Sequence, residues 1–100
     1  MKYIISWTNR DTAVSETDAK RVLAIFGKWT PSPGATFHQF LGRVDNNGGF
    51  AVVETDDPMD ILRDVTKFEP WLKYEVIPVV DIQDVAVAGS ESIEFRDSVS

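Results

Sequence analysis

The sequence predicts a small α+β domain whose elements follow the order β-α-β-β-α-β. The chain has 100 residues, the length of one domain, and its 43% hydrophobic and 26% charged residues are typical of globular proteins. Short runs with a period of two, which indicate strands, are interleaved with two segments of helical periodicity. Clusters of Gly, Pro, Asn and Asp separate them, as expected of turns.

The first strand is predicted over residues 2–8, where large apolar side chains alternate along the run. A helix is predicted from Ser15, because a serine followed three residues later by Asp18 forms a capping-box-like start. The apolar stripe of this helix is expected to consist of Ala19, Val22, Leu23, Phe26 and Trp29. Prolines and a glycine in residues 31–34 end the helix.

Two strands, residues 35–44 and 50–55, are predicted to form a hairpin. Residues 45–49 read Asp-Asn-Asn-Gly-Gly, and these residue types adopt positive φ angles at low energetic cost. If the hairpin closes at residues 46–49, one sheet face holds His38, Phe40, Val44, Ala51 and Val53. The opposite face then holds Phe37, Leu41, Arg43, Phe50, Val52 and Glu54.

Asp57 and Pro58 predict the start of a second helix, as its cap and its first helical residue. Its buried stripe is expected to be Ile61, Leu62, Val65 and Phe68. A fourth strand is predicted over residues 74–80, and Pro78 within it indicates an edge strand or a bulge. The domain is expected to span residues 1–81. Residues 82–100 form a C-terminal extension, for which a short helix and a strand at 92–95 are both open.

This order of elements is that of a ferredoxin-like sandwich, with a four-stranded antiparallel sheet and two helices on one face. In a monomer the uncovered sheet face should be polar, yet both predicted sets of hairpin side chains are mainly apolar. The C-terminal extension carries few large apolar groups and would cover a sheet poorly. We therefore expect a homodimer in which two sheets pair face to face as an α+β barrel.

Several short motifs resemble the dimeric α+β-barrel superfamily and, within it, a small bacterial family known only as a domain of unknown function. They lie in residues 1–81 and are the stretches 3–8, 41–43, 48–50, 53–54, 56–58 and 78–81. The resemblance implies the ferredoxin-like fold and the dimer. It leaves activity open, because the superfamily includes monooxygenases, isomerases, haem-degrading enzymes, ligand-sensing domains and proteins without known activity.

Composition excludes several classes of function. The formal net charge of −6 repels phosphate backbones and anionic lipid, and the basic residues are dispersed, so we expect neither nucleic-acid nor membrane binding. The absence of cysteine excludes thiol catalysis, disulfides and thiolate metal sites. No run of residues is apolar enough for a signal sequence or a membrane span, so a cytoplasmic location is expected. No cofactor or metal is expected.

The candidate site residues are one histidine and a set of aromatic side chains. His38 is the only side chain that titrates near neutral pH without perturbation, so it is the candidate general acid or base. The alternative is a structural imidazole in the core or at the interface. The residues expected to line a ligand pocket are Trp7, Trp29, Phe40 and Tyr3. Arg43 and Glu54 are expected to form a structural ion pair, within one chain or across the dimer.

Two classes of function remain open. The first is a dimeric accessory module, or one that binds a small apolar or aromatic ligand. The second is an enzyme that needs no cofactor and acts on a small hydrophobic substrate as a monooxygenase, isomerase or cyclase. An open cleft between helices and sheet that reaches His38 would favour the enzyme.

Overall fold

The computed structural model describes residues 1–11 and 15–99 and contains one four-stranded sheet and three helices. All strand pairs are antiparallel, and the strand order is β2-β3-β1-β4. The elements are β1 (Lys2–Asn9), α1 (Glu16–Lys28), β2 (Thr36–Gly42), β3 (Gly49–Glu54), α2 (Pro58–Thr66), β4 (Leu72–Val79) and α3 (Ile82–Asp97). The predicted ferredoxin-like order and the antiparallel sheet are confirmed.

The central strands β1 and β3 carry most of the buried sheet residues. On β1, Ile5 is buried and its backbone pairs with Ala51 of β3 and Val76 of β4. The side chains of alternate residues project from the inner face, which faces α1 and α2, and from the opposite outer face. Pro78 lies on the edge strand β4, where a missing backbone N–H is tolerated, as predicted.

Helix α1 begins where the capping pattern predicts. Ser15 is the N-cap, and its hydroxyl oxygen accepts a hydrogen bond from the backbone N–H of Asp18 at 3.0 Å. At the other end, the backbone N–H of Trp29 donates to the carbonyl of Ile25, and the chain then turns extended. No residue of α1 is fully buried, so this helix covers the sheet loosely.

The predicted hairpin register is wrong. The turn residues adopt positive φ as expected, at Asn46 (61°) and Gly48 (95°), but the last strand pair is Gly42 with Gly49. The connecting loop therefore spans residues 43–48, and Val44 is fully exposed on it.

A bulge at His38 interrupts the pairing between Phe37 and Gln39 of β2. The extra residue shifts the alternation, so that Phe37 and Phe40, three positions apart, both lie on the inner face. His38, which was predicted to share a face with Phe40, contacts Glu54 on the outer face instead. Because of this bulge, the predicted assignment of Phe37 and His38 to the two faces of the sheet is wrong.

Helix α2 also differs from prediction in one position. Ile61 and Phe68 are buried as expected, but Leu62 is half exposed and Asp64 is buried. Positions 61, 64, 65 and 68 lie on one side of a helix, whereas position 62 is rotated by about 100° from position 61. Asp64 therefore lies in the buried stripe, where Leu62 was predicted.

The fully buried core is small. Ile5, Ala51, Val53 and Ile61 form one cluster, Phe68 just after α2 is also buried, and Val53 has no exposed surface. Tyr3, Trp7, Ala35, Phe37, Val65 and Tyr74 are partly buried against it. The core thus joins the middle of the sheet to α2, and no residue of α1 belongs to it or to the partly buried set around it.

Helix α3 projects from the domain. All of its side chains are exposed, and the chain measures 64 × 29 × 20 Å along its principal axes. The alternative of a strand at residues 92–95 is wrong, because these residues are helical; Ser100, the end of the predicted extension, lies outside the described residues.

In the described part of the chain, no helix combines the length and the apolar character that crossing a membrane requires.

Candidate functional site

An apolar cleft of about 520 Å³ lies between α1 and the inner face of the sheet. Its volume falls in the range of pockets that hold small organic molecules, roughly 300–1,000 Å³. Leu23 and Phe26 of α1 line it and remain 69% and 49% exposed, and Phe40 on the edge strand β2 is 45% exposed. The cleft is therefore open to solvent beside α1 and β2.

Aromatic rings form much of the lining. The ring of Phe40 meets the ring of Trp7 edge to face, with centroids 5.4 Å apart, and meets that of Trp29 at 6.0 Å. Trp29 also contacts Phe37 and Phe68 edge to face, at 5.6 and 5.8 Å. Such contacts orient each ring with respect to its neighbours, so the walls of the cleft are held by ring-to-ring packing.

Asp64 is the one buried carboxylate in this lining. Its oxygens accept hydrogen bonds from the indole N–H of Trp29 at 3.3 Å, the backbone N–H of Ser32 at 3.1 Å and the hydroxyl of Ser32 at 3.0 Å. The ammonium group of Lys67 lies 3.9 Å away. These partners compensate the buried charge and tie the segment that follows α1 to α2.

Tyr74 of β4 also lines the cleft. Burial raises the pKa of Tyr74 to about 12, because an enclosed phenolate loses its hydration. Its ring lies beside that of Trp7, with centroids 6.3 Å apart. Within residues 1–11 and 15–99, neither the Tyr74 hydroxyl nor the Trp7 indole N–H forms a hydrogen bond.

His38 lies outside the cleft. Its Nε2 is 2.8 Å from a carboxylate oxygen of Glu54, on the outer face, and both side chains are nearly half exposed. The hydrogen bond from His38 is the main cause that holds the pKa of Glu54 below its ordinary value. The catalytic role of His38 stays a prediction, but its imidazole is separated from the cleft by the sheet.

The predicted pairing of Arg43 with Glu54 is not formed within the chain. Arg43 pairs with Asp45, two residues along the same loop, because the longer loop removes it from the strand. Glu54 pairs with His38 instead. A salt bridge of these residues across a dimer stays a prediction.

Three of the four aromatic residues predicted to line a pocket meet at the cleft, namely Trp7, Trp29 and Phe40. Tyr3 points to the same face but packs against the core outside the cleft lining. The sequence analysis missed Asp64 and did not select Tyr74. Asp64 was recognisable as the i+3 partner of Ile61 on α2, whereas nothing in the sequence distinguishes Tyr74 from Tyr3.

Nowhere in the described ranges do three or more His, Asp or Glu side chains gather as a group able to hold a metal ion.

Fold and site together define a small α+β domain with an apolar cleft between one helix and its sheet. The chain belongs to the family described as a domain of unknown function (DUF3303), which matches residues 1–93. This agrees with the resemblance to a family known only in those terms, and the match continues past β4 into α3. None of the curated proteins compared with the chain matches it.

Proposed function

We propose that this protein binds a small apolar or aromatic molecule in the cleft between α1 and the sheet. The observation that carries the proposal is the lining itself, a space of about 520 Å³ bounded by aromatic and aliphatic side chains. Each Å² of apolar surface that a ligand removes from water contributes about 25 cal/mol of favourable free energy to binding. Binding, with no chemical step, is the activity that these side chains support.

A cofactor-independent enzyme with His38 as its acid or base receives no support from the geometry. The imidazole pairs with Glu54 on the outer face, and the aromatic lining lies on the other side of the sheet. We therefore favour the binding of a small ligand over catalysis.

The test is a titration with N-phenyl-1-naphthylamine, a neutral dye whose fluorescence rises in apolar surroundings. Gly42 lines the cleft, and a Cβ added there meets no atom within 4 Å, so Gly42→Leu narrows the cleft without a clash at the backbone. Gly27 on α1 also has open space around it but lies outside the lining, which makes Gly27→Leu the matched control.

We expect saturable binding at one site per chain, with an affinity at least about tenfold lower in Gly42→Leu and unchanged in Gly27→Leu. Non-saturable binding, or equal affinity in both variants, would refute the cleft as the binding site.

We also propose that two copies pair through the outer faces of their sheets, the arrangement of the dimeric α+β-barrel superfamily. Leu41, Phe50 and Ile77 project from this face and are each about half exposed. Helix α3 leaves the face uncovered, because it projects away with all its side chains exposed. A second sheet would remove this apolar surface from water.

A further inference from the structure

The lining of the cleft is apolar except for very few polar groups. Those groups restrict which class of ligand can bind. No Lys, Arg or His is among the described residues that line it. An anionic ligand would therefore lose its hydration without gaining a cationic partner. It would also approach the carboxylate of Asp64 in a chain whose formal net charge is −6.

A cationic ligand is disfavoured for a different reason. The Asp64 carboxylate is the one acidic group in the lining, and it already accepts hydrogen bonds from Trp29 and Ser32. The ammonium group of Lys67, 3.9 Å away, compensates its charge. A ligand cation would have to displace these partners to gain a contact with the carboxylate.

Neutral hydrogen bonding is what the cleft still offers. Tyr74 and Trp7 line it, and within the described residues neither the Tyr74 hydroxyl nor the Trp7 indole N–H forms a hydrogen bond, whereas the indole N–H of Trp29 donates to Asp64. The phenol keeps its proton at physiological pH, as an ordinary tyrosine does, and burial raises the pKa of Tyr74 further, to about 12. A protonated hydroxyl that no group of the described chain occupies can rotate to donate to an acceptor on a ligand, whereas an indole N–H is fixed in the plane of its ring.

We propose that the cleft selects neutral aromatic or apolar molecules that carry one hydrogen-bond acceptor, such as a ketone, and that the Tyr74 hydroxyl donates to that acceptor. This inference rests on the proposed function, because it specifies the class of ligand for the same cleft. The apolar walls supply the affinity, and the Tyr74 hydroxyl supplies the selectivity.

The experiment compares four probes that share a naphthalene ring: 2-acetylnaphthalene, 2-ethylnaphthalene, 2-naphthoate and a naphthylmethyl-trimethylammonium salt. Binding is followed by the change in tryptophan fluorescence and by isothermal titration calorimetry. We expect 2-acetylnaphthalene to bind about fivefold more tightly than 2-ethylnaphthalene, the gain typical of one hydrogen bond, and both charged probes to bind more weakly than either.

Tyr74→Phe keeps the ring and removes the donor. It should lower the affinity for 2-acetylnaphthalene to that for 2-ethylnaphthalene or below it, because the desolvated carbonyl then has no donor, and should leave the affinity for the hydrocarbon unchanged. Tyr3→Phe is the matched control, because Tyr3 lies on the same face outside the lining. It should change neither affinity.

The outcomes separate the two proposals. If no probe shows saturable binding, the cleft is not a binding site and the proposed function fails. If the ketone and the hydrocarbon bind equally and Tyr74→Phe has no effect, the binding function stands and the role of Tyr74 is refuted. Tightest binding of the anionic or the cationic probe would likewise overturn the ligand class.

Discussion

The indole N–H of Trp29 donates a hydrogen bond to the carboxylate of Asp64 across a distance of 3.3 Å. The two residues lie 35 positions apart in the chain, and the contact joins the end of α1 to α2. Because α1 has no fully buried residue, this polar contact is a main anchor of the helix that covers the cleft.

Asp64→Ala should therefore destabilise the fold. It leaves the Trp29 indole and the Ser32 donors without their acceptor, and an unsatisfied buried group costs about 1–3 kcal/mol. Urea unfolding followed by circular dichroism measures the change in the free energy of unfolding. Asp84→Ala on the exposed helix α3 is the control and should alter it by less than about 0.5 kcal/mol. Equal stability of the two variants would contradict the anchoring role.

Two valines, one buried in the core and one exposed, should differ in how much they contribute to the free energy of unfolding. Val53 is 0% exposed, so Val53→Ala should lower the free energy of unfolding by about 2 kcal/mol through lost burial and a residual cavity. Val44 is fully exposed on the hairpin loop, and Val44→Ala should be close to neutral. Chemical denaturation of both variants under the same conditions checks the difference. A small effect of Val53→Ala would show that the core repacks.

Pairing through the outer face predicts a charge-sensitive dimer. Phe50→Lys places an ammonium group on that face, where a second sheet would have to desolvate it, so the variant should be monomeric. Leu62→Lys on α2 changes an equally exposed leucine away from the sheet and should leave the dimer intact. Size-exclusion chromatography with light scattering gives the mass of each. A monomeric wild-type chain at micromolar concentration would refute the dimer.

The His38–Glu54 contact predicts a pH dependence of stability. The hydrogen bond from His38, with a smaller contribution from Lys2, holds the pKa of Glu54 below its ordinary 4.5. A lowered pKa contributes stability above pH 4.5, and that contribution is lost as the pH falls through the folded value. The effect is small because both side chains are nearly half exposed.

Glu54→Gln should therefore flatten the acid limb of a plot of the unfolding midpoint against pH. Glu75→Gln is a control on the same outer face, since Glu75 forms no ion pair in the part of the chain described. An acid limb that is equally steep in wild type and Glu54→Gln would argue against the contact in solution.

Removal of α3 should leave the remaining domain as stable as the whole chain. All side chains of the helix are exposed, so a chain ending at Asp81 loses no buried side chain. We expect a change of less than about 0.5 kcal/mol in the free energy of unfolding and a smaller hydrodynamic radius. A marked loss of stability would mean that α3 packs against a surface, of its own chain or of a second copy.

The sequence was sufficient for the order of elements because each start and stop depends on local chemistry. Ser15, Asp57 and the Asn-Asn-Gly-Gly turn act within a few residues of their own positions. The bulge at His38 depends on how β2 pairs with β3, which no local pattern records, and it reassigned every side chain of β2 that precedes it.

The same limit applied to the site. Trp7, Trp29 and Phe40 could be selected as large side chains at suitable places on predicted elements. The cleft itself depends on how loosely α1 packs on the sheet, and that is a property of the whole domain. The choice of Tyr74 over Tyr3 likewise required the arrangement of β4 beside β1.

The bulge in β2 has a counterpart at the opposite border of the sheet, where Pro78 lies within β4 without breaking its pairing to β1. A regular border strand offers free N–H and C=O groups on which another chain can form a further strand and start a fibril. Here an irregular backbone on one side and a missing N–H on the other oppose such growth. Both borders of the sheet thus carry a feature that disfavours edge-to-edge growth, next to the exposed Leu41, Phe50 and Ile77 of the outer face.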